Sequence, residues 1–311
     1  MTPKILKGWI DMSQNLLERL SAALPALQLL ADEPLSRHTS FRIGGPARIL
    51  ACPQSEEELR ALLDFCRAEG LKPRILGGGT NVLAPDGGLP GIVISTRGLD
   101  GLTRIDALSL EAGAGVPLAR LAVFARAAGL TGLEFAHGIP GTVGGGMYMN
   151  AGAYGGELAQ TAVSARFLDL SGKLHTLEGE ELGLGYRRSA FMAMDGVIVS
   201  ARFRLAEGDP EAIGARMREL MERRKASQPL ELPSAGSTFK RPVGGYAAAL
   251  IQNAGLKGLR VGDAAVSEKH AGFVVNLGSA TAADVLTLIA RVRERVKADS
   301  GIELEPEVRI W

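Results

Sequence analysis

His137-Gly-Ile-Pro-Gly-Thr-Val-Gly-Gly-Gly-Met-Tyr-Met-Asn-Ala-Gly-Ala-Tyr-Gly-Gly156 is a dense glycine run, and its reading decides the fold. Glycine has no Cβ, so such a run admits positive φ and lets consecutive N–H groups close on an anion. Gly138, Gly141, Gly144 and Gly152 give it that freedom, and Thr142 and Asn150 add uncharged hydrogen-bonding groups. A shorter segment, Gly77-Gly78-Gly79-Thr80-Asn81, follows the apolar pair Ile75-Leu76. Neither is a GxGxxG set between a strong strand and a helix with an acid about 20 residues on, and neither has the GxxxxG-Lys-Ser/Thr of a P-loop. The pattern favours a mixed α+β fold over a doubly wound one. Either loop alone fits tight turns and close backbone crossings as well as a phosphorylated ligand; two of them in one candidate domain favour a ligand.

Outward from these loops, the apolar spacing marks helices. Gln54–Glu69 carries Leu59, Leu62, Leu63 and Cys66 on one stripe behind a Ser55/Glu58 capping box, and Gly70 stops it. Pro117–Ala128, Glu211–Ser227 and Thr281–Ala298 follow, the last with Val285, Leu288, Ile289, Val292 and Val296 on one face. Val197–Leu205 alternates as a strand except at Ile198. These elements predict an N-terminal helical segment over 1–36, a first domain over 37–206, a smaller α+β domain over 207–300 and a final strand over 301–311. Gly208-Asp209-Pro210 reads as a linker or turn.

The chain has 311 residues, 46% hydrophobic and 22% charged, with a formal net charge of +1. That balance suits a folded protein and gives no overall field for nucleic acid. Cys52 and Cys66 lie outside any CxxC spacing, and His38, His137, His175 and His270 have no zinc spacing, so no metal is expected. The first fifteen residues lack the continuous apolar core of a signal peptide, and no run reaches the roughly 18–20 apolar residues of a membrane span. The expected location is the cytoplasm.

Eight segments in order carry a resemblance: Ser40-Phe-Arg-Ile-Gly-Gly-Pro-Ala47, Leu76-Gly-Gly-Gly-Thr-Asn81, Gly138-Ile-Pro-Gly-Thr-Val-Gly-Gly-Gly146, Met149-Asn-Ala-Gly-Ala-Tyr-Gly155, Tyr186-Arg-Arg-Ser189, Ala235-Gly-Ser-Thr-Phe-Lys240, Ser267-Glu-Lys-His-Ala-Gly-Phe273 and Leu304-Glu-Pro-Glu-Val-Arg309. Together they resemble the UDP-N-acetylenolpyruvoylglucosamine reductase family, flavoenzymes of peptidoglycan precursor synthesis. The resemblance implies a vanillyl-alcohol-oxidase/PCMH-type region binding FAD noncovalently, and a monomer. It implies NADPH as reductant and UDP-N-acetylglucosamine enolpyruvate as substrate, with hydride passing from reduced flavin to C3 and a proton to C2. Many relatives carry a substrate-contacting tyrosine in an extra loop. Here no tyrosine occurs between Tyr186 and Ala235, which is similar to the shorter, type II form.

The resemblance also implies site residues. Arg187 takes the catalytic arginine position, where its guanidinium fork would hold the substrate carboxylate. Ser237 takes that of the proton donor and Glu307 that of the catalytic glutamate. In an ideal strand Glu305 and Glu307 share a side, so periodicity does not choose between them. Arg42, Ile43 and Gly44 join Gly77, Gly78, Gly79, Thr80, Asn81, Gly138, Gly141, Thr142, Val143, Gly144, Asn150, Ala151 and Gly152 as the expected FAD contacts. Tyr186, Lys240, Lys257, Lys269 and His270 are candidate contacts for substrate or for its diphosphate. Taken singly, each of these residues also has an ordinary structural or surface reading. Another PCMH-type oxidoreductase and a non-enzymatic nucleotide-sugar module are the competing functions.

Overall fold

The computed structural model describes residues 15–311, so the reading of residues 1–14 as no export signal lies outside the described part. The chain forms two compact units. One contains the described residues 15–33, Ala47–Gly77 and Leu89–Gly214; the other contains Pro34–Pro46, Gly78–Gly88 and Ala215–Trp311.

The first unit is built on two sheets. In one, Pro46–Cys52 and Arg74–Leu76 both run parallel to Leu89–Ser95, and Gln28–Pro34 forms the outer edge beside Pro46–Cys52. The connecting helix Glu56–Ala68 buries Leu59, Leu62, Leu63 and Cys66. Ser55 Oγ caps it by accepting from Glu58 N at 3.2 Å, and Glu58 accepts from Gln54 N at 2.8 Å. The second sheet is antiparallel, ordered 174–178, 162–169, 196–204, 109–113, 102–104. Ala165, Phe167, Ala201, Phe203, Leu110 and Ala112 are buried on it.

The second unit centres on a four-stranded antiparallel sheet ordered 234–237, 273–276, 264–266, 260–261. Helix Ala282–Ser300 supplies Val285, Leu288, Ile289, Val292 and Val296 to a core shared with Val266, Val274, Phe41, Ile43 and Leu83. Thr281 closes a capping box with Asp284 at the start of that helix. Asp86 accepts from the first two N–H groups, Ala282 at 2.7 Å and Ala283 at 3.1 Å.

Several sequence expectations change. The opening segment is helical only over 15–23 of its described part, and Gln28–Pro34 is a strand. Gly208-Asp209-Pro210 is a helix start rather than a linker: Asp209 accepts from Ala212 N at 3.1 Å and Pro210 opens the helix Pro210–Ser227. The unit division falls inside that helix, and segments 34–46 and 78–88 group with the C-terminal part. Ile198 interrupts the alternation because the pairing with Ala162–Asp169 shifts register there, matching Arg166 to Ser200 but Phe167 to Ile198. The final segment has only Arg309–Ile310 as regular strand, parallel to Val82–Leu83. Among the described residues, no helix is long and apolar enough to cross a membrane.

Candidate active site

The glycine run is not all loop. Gly144-Gly145-Gly146 lies inside a short helix, Val143–Met149. Packing explains glycine there: a Cβ on Gly144 would stand 2.8 Å from Ala114 Cβ, and one on Gly146 would stand 3.0 Å from Leu158 Cδ1. Asn150 ends the helix in the left-handed region at φ +43 and is 1% exposed. Its Nδ2 donates to Gly185 O at 3.0 Å and its Oδ1 accepts from Ala159 N at 2.9 Å. Expected as a ligand donor, Asn150 thus has its amide engaged at both ends within the protein. Gly152, in the strand Gly152–Ala153, pairs with Glu157.

That amide leads to the arginine. Gly185 and Arg188 exchange both backbone hydrogen bonds at 3.0 Å, leaving Tyr186 and Arg187 at the corner of a tight turn. Arg187 is at φ +52, a conformation that disfavours any residue with a Cβ. Its Nη1 donates to Asn150 O at 3.5 Å, its guanidinium lies 5.5 Å from the centre of the Tyr186 ring, and Ser189 Oγ donates to Tyr148 O at 2.7 Å. Asp32 and Tyr154 are likewise non-glycine residues at positive φ, +50 and +55. Arg42 and Asn150 share that feature, at φ +55 and φ +43.

Thr142 Oγ1 and His137 Nδ1 are buried without a hydrogen-bond partner among the described residues. Thr142 is 5% exposed, and a Cβ on Gly77 would stand 2.9 Å from its hydroxyl. Burial also lowers the pKa of His137 below the usual histidine value.

The second unit gathers the other motifs. Ser40 N donates to Gly79 O at 3.0 Å, and Ser40 Oγ to Ser234 O at 2.6 Å. Gly79 is at φ +68, where a Cβ would stand 2.0 Å from His38 O; nothing but glycine fits. Gly44, at φ +132, faces Ala84 Cβ at 2.6 Å in the same sense. Asn81 Nδ2 donates to Glu307 O at 3.1 Å, and Arg309 N donates to Asn81 O at 3.0 Å. Glu307 N in turn donates to Thr238 O at 2.8 Å, next to Ser237. The Gly78–Asn81 loop, the Ser40–Gly44 turn, Ser237 and Glu307 are thereby tied into one network.

The two glutamates part here. Glu307 is 8% exposed, whereas Glu305 lies outside and pairs with Lys240. Lys269 Nζ donates to Lys225 O at 2.6 Å and approaches Glu231 at 3.9 Å, which holds it to the end of the Pro210–Ser227 helix. His270 Nδ1 accepts from Gly272 N at 3.1 Å. Burial lowers the pKa of His270, and nearby Lys257 lowers it further.

Comparison with known proteins gives this arrangement its family. Residues 47–178 match the FAD binding domain, and residues 228–311 match the C-terminal domain of UDP-N-acetylenolpyruvoylglucosamine reductase. The protein of that name from Agathobacter rectalis is 46% identical, over 96% of this chain and 99% of its own length. The chain belongs to the UDP-N-acetylenolpyruvoylglucosamine reductase family. A second reductase, from Clostridium novyi, is 46% identical over 94% of this chain and 95% of its own. The crystal structure of the reductase from Thermus caldophilus superposes with a TM-score of 0.77 at 39% identity, covering 92% of this chain and 98% of that one. As a member of this reductase family the chain is an FAD-dependent oxidoreductase.

The first unit suits that cofactor. The Thr142 hydroxyl is buried without a partner among the described residues, a state that contact with a polar ligand would relieve, and Gly77 places no side chain beside it. Thr142, Val143 and Gly144 with Gly77 would hold FAD here.

Proposed function

We propose that the chain reduces the enolpyruvyl ether of UDP-N-acetylglucosamine enolpyruvate to UDP-N-acetylmuramate, with NADPH as the source of electrons. Bound FAD would supply the two-electron chemistry, and the protein supplies binding, orientation and charge. Arg187 grips the substrate carboxylate and opposes the negative charge that develops toward it during reduction. Its strained turn, held by Asn150, fixes where that charge is met. Ser237 gives its hydroxyl proton to C2. Glu307, buried and held through its backbone to Thr238 and Asn81, orients the proton network. Lys240, steadied by Glu305, and Tyr186 serve the diphosphate and sugar.

The near full-length match to reductases, with Arg187, Ser237 and Glu307 standing at the motif positions, carries this reading. Its test is an anaerobic two-step absorbance experiment. NADPH bleaches the FAD-loaded protein, and the enolpyruvyl substrate then restores the oxidised spectrum without oxygen. Persistent bleaching after substrate addition, in folded and FAD-loaded protein, rejects the proposed substrate.

A further inference from the structure

We infer that His137 is a direct FAD contact, its Nδ1 hydrogen-bonding a polar atom of the bound cofactor. The inference rests on FAD as the cofactor, and measuring FAD binding by the unaltered protein first separates failure of that premise from failure of the assignment.

His137 is partly exposed, but its Nδ1 is buried. A polar ring nitrogen removed from water loses its hydration, and the loss is made up only by a hydrogen bond. Nδ1 of His137 has neither, among the described residues. The ring ends the short helical turn Glu134–Gly138, which packs against helix Leu118–Ala127 and against the strands Gly152–Ala153 and Gly156–Glu157. The fit there is close: a Cβ on Gly156 would stand 2.5 Å from Phe135 Cδ1. An idle polar atom in such a setting is an exception that calls for a ligand or a function.

Its neighbour makes the case. Thr142, on the same segment, leaves its hydroxyl equally without a partner and is 5% exposed. Thr142 flanks Gly77, and the two residues sit in the FAD binding domain. Two unpartnered buried polar atoms thus lie five residues apart on the segment leading into helix Val143–Met149. The lowered pKa of His137 keeps the ring neutral near pH 7, so Nδ1 remains available as donor or acceptor according to tautomer.

The test compares His137→Phe, which keeps a ring and removes the nitrogens, with His137→Asn, whose amide reaches toward the Nδ1 position. FAD affinity is read from fluorescence of the free flavin, and thermal melting is recorded for each protein with and without FAD. His137→Phe should weaken FAD binding about tenfold, leave the apoprotein melting no lower than the parent, and reduce the upward shift that FAD produces. His137→Asn should recover most of the affinity. FAD affinity within twofold of the parent in His137→Phe overturns the assignment. So does a lowered apoprotein melting temperature in both variants, because that marks a structural histidine.

Discussion

Glu305 and Glu307 stand two positions apart and end in different surroundings. Lys240 N donates to Glu305 O and Glu307 N donates to Thr238 O, so the segment borders the stretch after Ser237, with Pro306 bridging to Phe239. The family motif singled out Glu307 in the sequence, but periodicity could not, because an ideal strand places both side chains alike and tertiary packing separates them. Glu307→Gln should lower turnover of the enolpyruvyl substrate about a hundredfold, whereas Glu305→Gln stays within about threefold, since an exposed ion pair contributes under about 1 kcal/mol. Stopped-flow measurement of the two half-reactions checks this. Ser237→Ala should slow flavin reoxidation by substrate by about a hundredfold while leaving reduction by NADPH nearly unchanged; equal slowing of both refutes a proton donor. Arg187 was legible as a motif residue, yet its positive φ was not, because nothing in Tyr-Arg-Arg-Ser announces a turn that a glycine would favour.

At the scale of elements, helices with one apolar stripe were readable to within a residue or two, as in Glu56–Ala68 and Ala282–Ser300. The glycine triplet was not, because composition there argues against a helix and only the closeness of Ala114 and Leu158 explains it. Gly144→Ala should therefore destabilise the protein despite the better helix propensity of alanine. Crowding of this kind costs about 1–3 kcal/mol, against a gain of at most about 1 kcal/mol, and a lower melting temperature of the apoprotein would register it. The hairpin joining Ala162–Asp169 to Leu174–Glu178 is locked by Asp169. Its carboxylate accepts from Ser171 Oγ at 2.6 Å, and pairs with His175 Nε2 at 2.6 Å. Lys173 N and Ser171 N also donate to it. These bonds, the Ser171 hydroxyl first, hold its pKa below the ordinary aspartate value. A depressed folded-state pKa stabilises the fold above the ordinary value near 3.9, and that contribution is lost as the pH falls through the folded-state value. Asp169→Asn should accordingly lower the melting temperature at pH 7 by a few degrees, about 1 kcal/mol, and the gap from the parent should begin to narrow only below about pH 4.

For the whole molecule, the fold class followed from the alternation of short strands, helices and glycine turns, but the division into units did not. A boundary near 206 looked natural because the strand ends there and Gly-Asp-Pro follows. Segments 34–46 and 78–88 gave no compositional warning that Phe41, Ile43 and Leu83 belong to the core of the C-terminal unit. Residues 215–311 alone would expose the apolar surface these three cover and lose the parallel pairing of Arg309–Ile310 with Val82–Leu83. Produced by itself, that fragment should show no cooperative thermal transition; a sharp melt with near-native circular dichroism would refute this. The same interlacing sets an order during synthesis. Every segment of the first unit has been synthesised once Gly214 is made, while Phe41 and Ile43 must wait for Val308. At about 5–20 residues per second, two stretches of newborn chain remain open for several seconds at least, and a holdase that shelters apolar segments would meet them there.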